Sequence, residues 1–157
     1  MTEIREITAP ETKSETCNNV LRSLPDWFGC EESLVEYVAG VKEMPFYAIF
    51  DNDAAVGFVS IKVHNKYTGD IYVMGIKDAY HRQGLGRKLV AKCEDYCRAH
   101  GMEFLTVKTL DASSKYEPYD RTREFYYSVG FRPLEVFPTI WGASNPCLLM
   151  AKSLRTQ

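Results

Sequence analysis

Nine consecutive residues hold the densest chemical signal in the chain: Tyr80-His81-Arg82-Gln83-Gly84-Leu85-Gly86-Arg87-Lys88. Glycines at 84 and 86 let backbone N–H groups approach a bulky anion, and Arg82, Arg87 and Lys88 supply mobile positive charge beside them. A β-type run, Thr68 to Ile76, precedes this segment and a helical pattern follows it. The loop therefore opens a helix, whose first N–H groups lack intrahelical partners and whose dipole is positive there. A pyrophosphate is the natural guest. The same residues would also make a tight turn with solvated cations. Two commoner phosphate loops are excluded: G-x-G-x-x-G needs glycine where Leu89 stands, and G-x-x-x-x-G-K-[ST] fails because Arg87 follows Gly86.

Several elements must position this loop. Ile4 to Ile7 reads as a short strand, Glu11 to Leu24 as a helix ended by Pro25, and Glu31 to Val41 as a second helix. Phe46 to Phe50 and Ala55 to Val63 form a hairpin about the turn Asp51-Asn52-Asp53, and Thr68 to Ile76 extends that antiparallel set. Leu85, Leu89, Cys93, Tyr96 and Cys97 fall at helical spacing between Gly84 and His100, and Gly101 stops the helix. Phe104 to Leu110 is a buried-type strand, so Thr68 to Leu110 makes a parallel, right-handed strand–helix–strand crossover. Tyr119 to Val129 forms a short helix closed by Gly130, and strands Leu134 to Ile140 and Cys147 to Ser153 flank a turn at Gly142 to Pro146. The expected class is α/β (α+β): a mixed, mostly antiparallel sheet with a central parallel crossover and helices on both faces.

Composition bounds the function. With 157 residues, 45% hydrophobic and 25% charged, one globular domain spanning 1–157 is expected. A net charge of −2 gives no bulk attraction to nucleic acid or anionic membrane, so neither is expected as a partner. Residues 1–60 carry four basic and eleven acidic side chains, and the remainder fifteen basic and ten acidic, a division suited to one cationic and one anionic ligand or to unpatterned surface. Five cysteines without C-x-x-C and three scattered histidines show no metal-site spacing, so no metal is expected. The charged start Thr2-Glu3-Ile4-Arg5-Glu6 has no signal-peptide core, and a cytoplasmic location is expected.

With these elements in order, the loop from Tyr80 to Gly86 resembles the acyl-CoA pyrophosphate loop of GCN5-related N-acetyltransferases, whose pattern is [Q/R]-x-x-G-x-[G/A]. A second, independent match is Phe125-Tyr126-Tyr127-Ser128-Val129-Gly130-Phe131, which resembles the family's F-Y-x-x-x-G-F signature. The resemblance covers most of the chain and is vague only before about residue 40. It departs at the first loop position, where His81 replaces Gln or Arg; a neutral imidazole can donate one hydrogen bond and Arg82 can supply the charge.

The resemblance implies a sheet split by a V-shaped opening, acetyl-CoA as co-substrate, and acetyl transfer to a primary amine of a small molecule or a protein. It also implies cofactor contacts from His81, Arg82, Gln83, Gly84, Leu85, Gly86 and Arg87, and from the backbone of Met74, Gly75 and Ile76. Gly75 reads as a bulge or close-approach position. Tyr126 matches the signature tyrosine that protonates the departing thiolate, and Asp70 matches the base glutamate of the family's histone acetyltransferases, one methylene shorter and so acting through water. Glu43, Asp51 and Asp53 remain other candidates for the base. The first two helices and the last strand pair would build the acceptor pocket, with Trp27-Phe28 and Trp141 as walls and Asp26, Glu31, Glu32 and Glu36 favouring a cationic amine. Arg121 and Arg123 would serve phosphates or a carboxylate on the acceptor. Many members of the resembled family are dimers, so a homodimer is one expectation for this chain. The alternative is a non-catalytic acyl-CoA-binding module of the same fold.

Overall fold

The computed structural model describes residues 1–155. Its strands are β1 (Thr2–Glu6), β2 (Phe46–Asp51), β3 (Ala54–Asn65), β4 (Thr68–Ile76), β5 (Phe104–Leu110), β6 (Arg132–Phe137) and β7 (Cys147–Ser153), and its helices are α1 (Pro10–Arg22), α2 (Glu31–Gly40), α3 (Leu85–Ala99) and α4 (Pro118–Ser128). The seven strands form a sheet of order β1-β2-β3-β4-β5-β7-β6, antiparallel throughout except for β4 and β5, which run parallel. This is the mixed sheet with one parallel crossover that the strand–helix–strand pattern requires.

The helices divide between the faces. On one, Cys17, Val20 and Leu21 of α1 and Leu34 of α2 pack with Phe46, Phe58 and Val73. On the other, Leu85, Leu89, Val90, Cys93 and Cys97 of α3 pack with Ile61, Ile71, Leu105 and Tyr126. Burying each large apolar side chain of that stripe contributes roughly 1.5–3 kcal/mol. Cys93 and Cys97 are core residues, and burial pushes the Cys97 thiol up to about 11.

Two irregularities shape the centre. Between β3 and β4 the register passes from Ser60↔Val73 to Ile61↔Ile71, leaving Tyr72 as the extra residue of a bulge. A bulge bends its strand and ends regular pairing nearby. Beside it, β4 pairs β5 only from Thr68↔Phe104 to Ile71↔Val107. Beyond Ile71 the two strands part, and the sheet is open.

The last hairpin differs from the expectation. β6 spans Arg132–Phe137 rather than Leu134 to Ile140, and its final pair is Phe137↔Cys147. Pro138 lacks the N–H needed to continue the ladder, so residues 138–146 form a loop.

Candidate active site

The split between β4 and β5 opens into a continuous cleft of about 1180 Å³. Sites for one drug-sized ligand span roughly 300–1,000 Å³, so this cleft has room for an extended arm and a second molecule.

One mouth is the bend before α3. Arg82 and Gly84 are both left-handed, with φ of 63° and 77°, and such turns splay successive N–H groups outward. Among the described residues, no protein acceptor bonds the N–H of Gln83, Gly84, Leu85, Gly86 or Arg87. Arg82 and Arg87 line this mouth, and neither is in an ion pair with a described carboxylate. Gly86 has a separate reason: a Cβ there would lie 3.0 Å from the Phe125 ring, so glycine lets α4 close on the first turn of α3. Leu85 is buried in the core, leaving only its backbone to face the cleft.

His81 does not offer its ring to the bend. Nε2 is hydrogen-bonded to the Ile76 carbonyl, Nδ1 lies 3.6 Å from the Asp78 carboxylate, and the ring meets Trp27 edge-on at 5.9 Å. Its backbone N–H donates to Asp78 O at 3.1 Å. The hydrogen bond expected from this imidazole to a phosphate therefore has no free donor; His81 ties the loop to the end of β4.

The register decides which groups of β4 face the opening. The Lys77 N–H donates to Val56 O, and Gly75 lies opposite Phe58 two steps along. Alternation then turns the backbone groups of Gly75 toward β3, and those of Met74 and Ile76 toward the open edge. Gly75 is a close-approach position for a different reason from the one expected. A Cβ there would lie 3.2–3.3 Å from Val20, Leu21 and Leu24, so α1 is the element that approaches, and the bulge is at Tyr72.

Tyr126 lines the cleft from α4, its ring packed among Phe125 and Phe131 and its hydroxyl bonded to no described group. Burial raises its pKa far above the ordinary tyrosine value, so it stays protonated. Opposite, Thr109 of β5 is 3% exposed, and its Oγ1 is the one fully buried side-chain polar atom without a partner among the described residues. The residue stands on the cleft wall with that hydroxyl turned away from the opening. In the sequence its signal is a threonine continuing the core-facing alternation of Leu105 and Val107.

Asp70 is elsewhere. It is 5% exposed, is absent from the cleft wall, accepts a 2.6 Å hydrogen bond from Thr106 Oγ1 and lies 3.8 Å from His64 Nε2. Desolvation raises its pKa despite that bond and the charges of Lys108, His64 and Lys62. It sits one residue before the split, still enclosed by both neighbouring strands. Glu43, Asp51 and Asp53 also lie off the wall, and Asp51 accepts from the Tyr80 hydroxyl at 2.6 Å. Among the described residues Asp26 is the sole carboxylate on the wall.

The opposite half of the cleft is aromatic. Phe28, Tyr37 and Tyr72 meet edge-on at 6.1 and 5.3 Å, and Trp141 contributes from the loop after β6. A strap crosses the open end. Tyr116 OH donates to Asp26 O at 2.7 Å, Tyr119 OH to Trp27 O at 2.7 Å, and Trp27 Nε1 to Pro118 O at 3.1 Å. Of the acids expected here, Glu31, Glu32 and Glu36 are off the wall, and Glu31 is paired with Arg22. Arg123 is buried, donating to the Leu110 carbonyl and Asp120, and is a structural residue; Arg121 stays on the wall. No group of three or more candidate metal ligands occurs among the described residues, and none of their helices is long and apolar enough to cross a membrane.

Comparison with known proteins bears on this geometry. The family model described as "Acetyltransferase (GNAT) family" matches residues 3–131. A mycothiol acetyltransferase of Corynebacterium glutamicum is 37% identical over 60 residues, 38% of this chain, and that stretch spans only 20% of the relative's length. A GNAT-family protein from Desulfovibrio desulfuricans superposes with a TM-score of 0.84 at 18% identity, over 99% of this chain and 100% of that one. An aminoglycoside 6'-N-acetyltransferase complexed with coenzyme A gives 0.78 at 18% identity, over 99% and 98%. These last two likenesses concern the fold.

Proposed function

We propose, on the premise that the chain belongs to the acetyltransferase (GNAT) family, that it moves an acetyl group from acetyl-CoA to a primary amine by direct attack on the thioester. The observation that carries this reading is the continuity of the cleft. It runs from unbonded amides at the start of α3, along the open edge of β4, past Tyr126, to an aromatic chamber on the other face.

The residues present fit coenzyme A. The N–H groups of residues 83–87, with Arg82 and Arg87, would hold the pyrophosphate at the positive end of α3. The open edge of Met74 would pair with the pantetheine amides as a further strand, and its N–H would meet the oxyanion. Bound acetyl-CoA supplies an activated acyl carbon.

In the transfer, the amine nitrogen forms the new C–N bond as the C–S bond breaks. Tyr126 gives its proton to the departing sulfur and regains one from solvent. The amine must arrive uncharged, although an ordinary alkylamine titrates near 10.4. No buried carboxylate lines the cleft, so water carries that proton out past the exposed Asp26 rather than to Asp70.

The test is thiol release from acetyl-CoA across a panel of amines, with coenzyme A binding measured separately. Binding without thiol release from any amine would support the second reading, a non-catalytic acyl-CoA-binding module. The scarcity of carboxylates on the cleft wall is the observation in its favour.

A further inference from the structure

The acceptor half of the cleft has a charge that its aromatic walls do not explain. Lys108 projects from β5 beside the split, is half-buried and lines the cleft. Its register neighbours explain the placement. Val107 and Thr109 face the α3 side, so Lys108 faces the α2 side, where Tyr37 and Tyr72 stand. No described carboxylate lies within ion-pair distance of its ammonium group. Asp70 is near enough to feel its charge, but that carboxyl is already bonded to Thr106 and is off the wall. The one acid on the wall, Asp26, is exposed at the mouth.

A half-buried cation without a partner, beside an aromatic wall, is a receptor for an anion attached to an apolar body. Resting on the acetyl-transfer reading above, we propose that the acceptor is an amine that also carries a carboxylate, on an aromatic or apolar body, with the carboxylate held by Lys108. Phe28, Tyr37, Tyr72 and Trp141 pack the body. The same cation assists the chemistry. Positive charge near an amine disfavours its protonated form, which suits a chamber without a buried base. A polycation would meet Lys108 with nothing to compensate the repulsion. Aromatic faces do attract ammonium groups, so simple cationic amines are the competing class.

The experiment compares matched pairs. Thiol release from acetyl-CoA is measured with phenylalanine and tryptophan, with their decarboxylated counterparts phenethylamine and tryptamine, and with spermidine. The expected result is a kcat/KM about tenfold or more higher for each carboxylate-bearing amine, the size of one charge-assisted contact. Lys108→Met should bring each pair to near equality, and Lys108→Glu should invert the order. The wild type preferring phenethylamine, tryptamine or spermidine, or a preference that survives Lys108→Met, overturns the proposal.

Where no amine releases thiol, calorimetric titration of the coenzyme A-saturated protein decides. Phenylalanine binding that is lost in Lys108→Met supports the assignment; no binding, or tighter binding of phenethylamine, overturns it. Failure to bind coenzyme A would instead strike the acetyl-transfer reading, so the two failures are distinct.

Discussion

The His81 ring is turned back onto the carbonyl of Ile76, five residues earlier, and so fixes the angle at which β4 hands over to the bend before α3. That contact uses the group expected to reach a phosphate. In its place the bend presents main-chain amides, and Trp27 meets the ring edge-on. His81→Ala should therefore weaken coenzyme A binding indirectly. One net hydrogen bond of about 0.5–1.5 kcal/mol corresponds to a loss of roughly 2–12-fold. Calorimetric titration with coenzyme A checks it, and an unchanged affinity would show that the bend holds its shape without the tie.

Gly84 requires its φ of 77°, whereas nothing lies within 4 Å of where its Cβ would stand. A side chain there is strained by about 1–2 kcal/mol rather than blocked by the protein. For a protein of this size that lowers Tm by roughly 2–8 °C. The added methyl groups of Gly84→Val would also stand in front of the unbonded amides. Acetyl-CoA at 100-fold its dissociation constant should stabilise the wild type by about 2.7 kcal/mol, and Gly84→Val should lose that ligand-dependent shift. A variant that kept the full shift would remove the bend from the binding site.

Periodicity located most of the strands and helices because local patterning sets them. Leu85, Leu89, Cys93 and Cys97 announce α3, and alternation announces β5. The features that make the cleft depend instead on relations between distant segments. The bulge at Tyr72 exists only in the pairing of β4 with β3. The strap joins residues 26–27 to residues 116–119, and no local pattern could propose it. Asp70 looks like an end-of-strand carboxylate in sequence, yet β5 encloses it. Lys108 and Thr109 are adjacent, and only the sheet's two faces reveal their different surroundings.

Thr109→Val separates stability from binding. The hydroxyl is buried without a partner, a state that costs about 1–3 kcal/mol, and valine keeps nearly the same shape. The variant should therefore melt at the same temperature or higher. Because Oγ1 is sealed from the cleft, coenzyme A affinity should stay within about twofold. Thermal unfolding and titration on one preparation test both expectations. A loss of stability would mean that the hydroxyl already has a partner in solution.

Asp70→Asn has a pH signature. Burial raises the folded-state pKa of Asp70 above its unfolded value. Stability from this carboxyl is fully present below the unfolded pKa, near 3.9, and declines as pH rises through the folded pKa, because ionising the buried group is unfavourable. Asparagine still accepts from Thr106 and never ionises. The variant should match the wild type at pH below about 4 and be more stable at pH 7. Thermal unfolding across that range measures it. The substitution should also leave thiol release within about twofold, since Asp70 is off the cleft wall; a large loss of kcat would restore it as the base.

Tyr126→Phe removes one hydroxyl and keeps the ring that packs against Phe125 and Phe131. Because that hydroxyl bonds no described group, the fold should lose under about 1 kcal/mol. Coenzyme A affinity should stay within about twofold, since the amides at the bend are untouched. The chemical step is different: without a positioned donor the sulfur leaves as a bare thiolate, and kcat should fall about 10²–10⁴-fold. Burial holds the tyrosine pKa well above 10, so the wild-type rate should not decline from pH 8 to about 10 through loss of this proton. Stopped-flow measurement of thiol release, with acetyl-CoA binding measured in parallel, distinguishes a donor from a packing aromatic. Equal rates for wild type and variant would leave Tyr126 with packing alone and favour the non-catalytic acyl-CoA-binding reading.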